Sequence, residues 1–115
     1  MSLVHHLALR VHNLEAMQAF YASWLGLTVV RDLSPRALWL GLGQGAVLML
    51  ELRGVSEPAI DVQSLELVAF AIDAGARPAL RARLVALNML EAETEHTLYF
   101  RDPEGRRVAL SSYPL

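Results

Sequence analysis

Apolar and polar residues alternate along the first stretch of the chain. Leu7, Leu9 and Val11 fall two apart with His6, Ala8 and Arg10 between them, the period of a strand with one buried face, and the pattern predicts a strand over 3–11. The period then changes. Leu14, Met17, Phe20, Tyr21, Trp24 and Leu25 recur at helical spacing behind Asn13, a residue type that caps helix N-termini, and Gly26 stands where the helix would stop. Three strand-like runs follow over 27–33, 37–42 and 46–53, divided by Ser34-Pro35 and by Gly43-Gln44-Gly45. A loop over 54–63 holds Pro58.

The second half repeats the order. A strand is expected over 65–73 and a helix over 78–88, with Leu80, Leu84 and Leu87 on one side and Arg77, Arg81 and Arg83 toward solvent. A weaker strand signal covers 90–95. The chain closes on a hairpin over 96–110 whose turn is Asp102-Pro103-Glu104-Gly105. Proline fixes φ at the second position, aspartate can bond back to the backbone from the first, and glycine accepts a positive φ. The plan is βαβββ twice, an α+β class, with a first module over 1–53, a linker over 54–63 and a second module over 64–115.

Composition narrows the function. With 115 residues and 54% hydrophobic content the chain is one domain with a sizeable core, and part of the apolar surplus is expected in a homodimer interface. No apolar run approaches the roughly 18 residues of a membrane span, and the start, Met1 to His6, lacks the pattern of a secretory leader, so a cytoplasmic protein without membrane contact is expected. A net charge of −2 without a basic block argues against nucleic acid as a partner. Cysteine is absent and all ten basic residues are arginine, which excludes thiolate ligation, a cysteine nucleophile and Schiff-base chemistry on lysine.

Four segments carry a family resemblance. The opening His6-Leu7-Ala8-Leu9-Arg10-Val11, the helix end Phe20-Tyr21-Ala22-Ser23-Trp24-Leu25-Gly26-Leu27, the strand Leu48-Met49-Leu50-Glu51-Leu52 and the close Tyr99-Phe100-Arg101-Asp102-Pro103-Glu104-Gly105 resemble the glyoxalase, bleomycin-resistance and dioxygenase superfamily, the vicinal oxygen chelate proteins. The resemblance implies two βαβββ modules whose mixed sheets curl into a cup, completed by a partner subunit, with the site inside. Alternation then places His6, Ala8 and Arg10 toward the cup from strand one, and Val47, Met49, Glu51 and Arg53 from strand four. Strand five would offer Leu67, Ala69 and Ala71, and strand eight Arg107, Ala109 and Ser111. Leu48, Leu50, Leu52, Val68, Phe70, Ile72, Val108 and Leu110 would be buried behind them.

Metal-dependent relatives of this kind hold a divalent ion with one ligand from each of strands one, four, five and eight. The matching positions are His6, Glu51, Leu67 and Ala109, and the last two cannot donate. A catalytic site needs about three protein donors with an open position, so no metal cofactor is expected, with His6 and Glu51 as residual candidates. Glu66 and His5 point to the wrong face, while His96 and His12 read as solvated. His6 and Glu51, read as neighbours inside the cup, could instead act as general acid and base or form a satisfied pair.

Arg10 matches a position at which glutathione-using relatives grip a carboxylate, though pairing with Glu51 or with a dimer partner would explain it equally. Trp39, Tyr99 and Tyr113 are expected on the inner face with Arg101 and Ser111, in the manner of relatives that stack planar cationic drugs. The leading expectation is a metal-independent small-molecule binding protein that sequesters an antibiotic or metabolite. The alternative is a lyase, isomerase or dioxygenase using His6 and Glu51, with or without a divalent metal. A structural or regulatory protein without a small ligand is the third.

Overall fold

Each half of the chain builds one sheet and one helix, in a computed structural model that describes residues 3–115. Met1 and Ser2, part of the start read above for a leader, lie outside the described residues. The first compact unit reaches Ala59 and the second begins at Ile60. The observed order matches the repeated βαβββ plan, in the α+β class.

In the first unit β1 (His6–Val11) leads into α1 (Leu14–Leu25), and β2 (Val29–Leu33), β3 (Ala37–Gly43) and β4 (Ala46–Leu52) follow. The sheet order is β1-β4-β3-β2, with β1 parallel to β4 and the rest antiparallel. Asn13 caps α1, its Oδ1 accepting from the Ala16 N–H at 2.9 Å, and Gly26 ends it at φ 66° with its N–H on the Ala22 carbonyl. Met17, Phe20, Tyr21 and Trp24 are buried on α1, which lies against β3 and β4, and Leu38, Leu40, Leu48 and Leu50 are buried on the sheet. Leu52, expected in that buried set, is 43% exposed because it ends β4 beyond the reach of the helix.

The second unit holds β5 (Leu67–Ala71), a short 3₁₀ turn over Ala74–Ala76, α2 (Arg77–Ala86), β6 (Ala92–Glu93), β7 (Thr97–Arg101) and β8 (Arg107–Ser111). Its order, β5-β8-β7-β6 with β5 parallel to β8, repeats that of the first sheet. Leu84, Leu98, Phe100, Val108 and Leu110 form the fully buried set. Leu87 is 55% exposed, since α2 stops before it, and Arg77 turns back to bond Glu93 and the Thr94 carbonyl rather than facing solvent. The weak signal over 90–95 yields a strand of two residues.

The β7–β8 turn forms as expected and more tightly than alternation could show. Asp102 Oδ1 accepts from the backbone N–H of Glu104 at 2.8 Å and of Arg106 at 3.0 Å. Gly105 sits at φ 90°, and a Cβ there would lie 2.7 Å from Val62 Cγ1. Substituting Gly105→Ala is therefore expected to cost about 1–3 kcal/mol, from left-handed strain together with the clash, read as a lower urea midpoint at unchanged slope. A midpoint equal to wild type would mean that Val62 yields freely.

Candidate functional site

On each sheet the face away from the buried set is organised in rows across the strands. In the first unit the register places His6 level with Val47 and Gly41. The middle row is Ala8, Met49, Trp39 and Arg31, and the last is Arg10, Glu51, Ala37 and Leu33. This corrects the pairing of His6 with Glu51. Parallel strands that start together put His6 beside Val47, so Glu51 stands four residues further along β4, about 13 Å by strand rise. His6 instead meets His5, whose Nδ1 lies 2.9 Å from the His6 Nδ1 with the rings edge to face. One imidazole must donate and the other accept, so at least one ring presents a lone pair there.

Glu51 neighbours Arg10, at 3.7 Å from its Nη1. The stronger partner of Arg10 is Glu57, a loop residue: Nη2 donates to Oε1 at 2.7 Å and Nε to Oε2 at 3.1 Å. The Gly54 N–H donates to the same carboxylate at 3.1 Å. The Arg10 hydrogen bonds, then that of Gly54, hold the Glu57 carboxyl down at about 2. Arg53 pins the backbone of this loop, its Nη2 donating to the Glu57 carbonyl at 2.7 Å and to that of Pro58. Nothing in the spacing of the sequence marks Glu57 as the partner of Arg10, because 47 residues separate them and the loop has no period.

Trp39 lies on the expected face, beside Met49, and Leu38 and Leu40 on either side of it are buried. The Arg31 guanidinium stands over its ring at 4.9 Å, a contact set by the β2–β3 register that pairs Arg31 with Trp39. The indole Nε1 is buried and has no hydrogen-bond partner among the described residues.

In the second unit the rows are Leu67, Arg107 and Arg101; Ala69, Ala109, Tyr99 and Ala92; and Ala71, Ser111 and Thr97. The plan of the first unit recurs, with Arg107 over the Tyr99 ring at 4.4 Å. Glu91 ties the first row together, accepting from Arg101 Nε at 2.6 Å and from Arg107 Nε at 3.1 Å, and the Arg101 bond above all lowers its carboxyl pKa. Ser111 shares a hydrogen bond of 2.8 Å with Thr97. Ala109 is fully buried between Ala69 and Tyr99 in its row, rather than exposed on a ligand-facing surface. Leu67 is half-buried, Tyr113 is exposed, and His96 meets Tyr113 edge to face, so neither His96 nor Tyr113 is drawn into the rows. His12 bonds Arg53.

Residues of this kind do not fit a divalent metal site. Among the described residues no three histidine, cysteine, aspartate or glutamate side chains gather. The β5 and β8 faces carry only leucine, alanine, arginine and serine in their rows. Glu51 and Glu91 each face arginine, which competes with a cation for the carboxylate.

A sequence profile described as the Glyoxalase/Bleomycin resistance protein/Dioxygenase superfamily matches residues 3–110. No curated protein matches the chain. Among solved structures, lactoylglutathione lyase from Agrobacterium tumefaciens is 23% identical with a TM-score of 0.73, over 96% of this chain and 93% of that one. A glyoxalase/dioxygenase from Nostoc punctiforme is 21% identical with a TM-score of 0.79, over 97% and 91%. The fosfomycin resistance protein FosX from Listeria monocytogenes is 20% identical with a TM-score of 0.77, over 100% and 94%. At such identities the likeness is one of fold. No helix among the described residues is long and apolar enough to cross a membrane.

Proposed function

The chain belongs to the Glyoxalase/Bleomycin resistance protein/Dioxygenase superfamily, and from that premise we propose that it is a cytoplasmic, homodimeric small-molecule binding protein that works without a metal and sequesters a metabolite or an antibiotic. The observation that supports this reading is the donor set. Leu67 and Ala109 stand at two strand positions that carry ligands in metal-dependent relatives, and Glu51 is four residues out of level with His6. What remains on the faces suits noncovalent binding, namely the ring of Trp39 with Met49 beside it on the first sheet and, on the second, the ring of Tyr99 with Leu67 one row away. Because arginine already covers both rings, a planar cation would have to displace Arg31 or Arg107, so a neutral or anionic ligand suits these faces better.

Protein purified without chelator is expected to carry substoichiometric Ni, Zn, Fe and Mn. One equivalent of any of these, lost on His6→Ala, would overturn the metal-free reading. In a thermal-shift screen of antibiotics, thiol conjugates and aromatic metabolites, a ligand at a hundred times its Kd should add about 2.7 kcal/mol of stability. Trp39→Ala should abolish that gain, and a gain equal to wild type would remove the middle row from the site. Sedimentation at micromolar concentration should give twice the monomer mass.

The second reading, an enzyme of the same superfamily, draws on the His5–His6 contact, which gives His6 a basic neighbour in place of Glu51. It predicts turnover that His6→Ala removes and Glu51→Gln leaves intact.

A further inference from the structure

A cavity of about 430 Å³ lies between the first turns of α1 and the edge strand β2, on the face of the first sheet opposite Trp39 and Met49. It exists because α1 lies against β3 and β4, so that β2 reaches past the helix and stays largely exposed. Leu38, buried on β3, forms its apolar wall with Pro35 and with Leu14 and Val29, both half-buried. Glu15, Gln18 and Asp32 are its polar side, and no arginine lines it. The register explains that segregation, sending Arg31 to the other face over Trp39 and Asp32 to this one, level with Leu38.

The polar groups are acceptors in want of a donor. Glu15 and Gln18, three residues apart on one face of α1, make no side-chain hydrogen bond or ion pair among the described residues. Asp32 is fixed by Ser34, whose N–H donates to its Oδ1 at 2.8 Å, and the Ser34 hydrogen bonds hold its carboxyl below the usual carboxylate range, so it is ionised at neutral pH. An anion is disfavoured here, because Asn13 Oδ1 already accepts from the Ala16 N–H and Glu15 puts a negative charge in the first turn of α1. A bare divalent ion is disfavoured too, since it would find no third histidine, aspartate or glutamate among the described residues and would leave the apolar wall unused. An ammonium group brings three donors to two carboxylates and an amide oxygen.

We infer that this cavity binds a small primary amine with a short apolar arm, its ammonium held by Glu15, Asp32 and the Gln18 Oε1 and its arm laid on Leu14, Val29 and Leu38. The site goes beyond binding at the inner faces and does not depend on it.

The test is a titration of the full chain with phenethylamine, followed by ¹H–¹⁵N NMR, with 2-phenylethanol and 3-phenylpropionate as neutral and anionic controls of similar shape. The amine is expected to shift the amides of Glu15, Gln18, Val29 and Asp32 saturably and to leave those of Ala8 and Met49 in place. The alcohol should bind about tenfold more weakly, the size of two exposed ion pairs, and 3-phenylpropionate should give no saturable shift. Glu15→Gln and Asp32→Asn keep the shape and remove one charge each, and Asn retains an oxygen for the Ser34 N–H, so both variants should melt as wild type does. Each should weaken the amine about threefold, and together they should bring it to the affinity of the alcohol. No saturable shift, either control binding as tightly as the amine, shifts centred on Ala8 and Met49, or a folded double variant that binds the amine as wild type does would each overturn the inference. None of these results bears on whether the inner faces bind a ligand, which Trp39→Ala tests separately.

Discussion

Asp102→Ala is expected to lower the stability of the protein by about 2–4 kcal/mol, since it leaves buried groups without partners. The Asp102 side chain is fully buried, and its Oδ1 closes the β7–β8 turn by accepting from the Glu104 and Arg106 N–H groups. Its Oδ2 faces Arg106 Nη1 at 3.4 Å, and the same guanidinium nitrogen lies 3.7 Å from Glu104 Oε1. Alanine removes all three acceptor contacts at once. Asp102→Asn retains an oxygen for the two backbone donors and loses only the charge opposite Arg106, so about half the cost should return. Urea unfolding of the three proteins checks both numbers. A loss below about 0.5 kcal/mol for alanine, the range of ordinary surface changes, would mean that the turn holds without its aspartate.

The larger loss belongs to Phe100→Ala, expected at about 3–5 kcal/mol. Phe100 is fully buried on β7, level with Val108 on β8, in the set that also holds Leu84, Leu98 and Leu110. Truncation removes most of a ring from a closely filled space, and the surrounding side chains are held on β7, β8 and α2, which can collapse into it only in part. Phe100→Leu keeps most of the volume and should cost no more than about 1.5 kcal/mol. Val30→Ala supplies the contrast, because Val30 is 59% exposed on the edge strand β2, and it should stay within about 0.5 kcal/mol of wild type. A similar loss at positions 30 and 100 would contradict the register that buries Phe100 and turns Tyr99 to the other face.

Both predictions concern features legible in the sequence, because both rest on local rules. A period of two decides which residues share a face of a strand, a period of 3.6 decides the buried side of α1, and a cap or turn is written in residues two to four apart. The helix from Asn13 to Gly26, the closing hairpin and the faces of β1, β4 and β8 follow from those rules alone. They weaken where an element is short or ends. The strand of two residues at Ala92 and the exposure of Leu52 and Leu87 depend on where a helix stops, which propensity locates only to within a turn.

The site was legible one residue at a time and not as an arrangement. Alternation put His6, Arg10, Glu51, Trp39 and Tyr99 on inner faces, but a face has no position along the strand until a neighbouring strand is laid beside it. Parallel pairing of β1 with β4 sets Glu51 beside Arg10 and leaves His6 with His5, and no pattern within either strand contains that information. Glu57 was invisible for the same reason, since it reaches Arg10 from a loop without period. The sequence by itself determined which residues lie on which face of each element, because steric and helical periods act between near neighbours. Only the tertiary structure decided which of them meet, because register and loop closure join residues far apart in the chain.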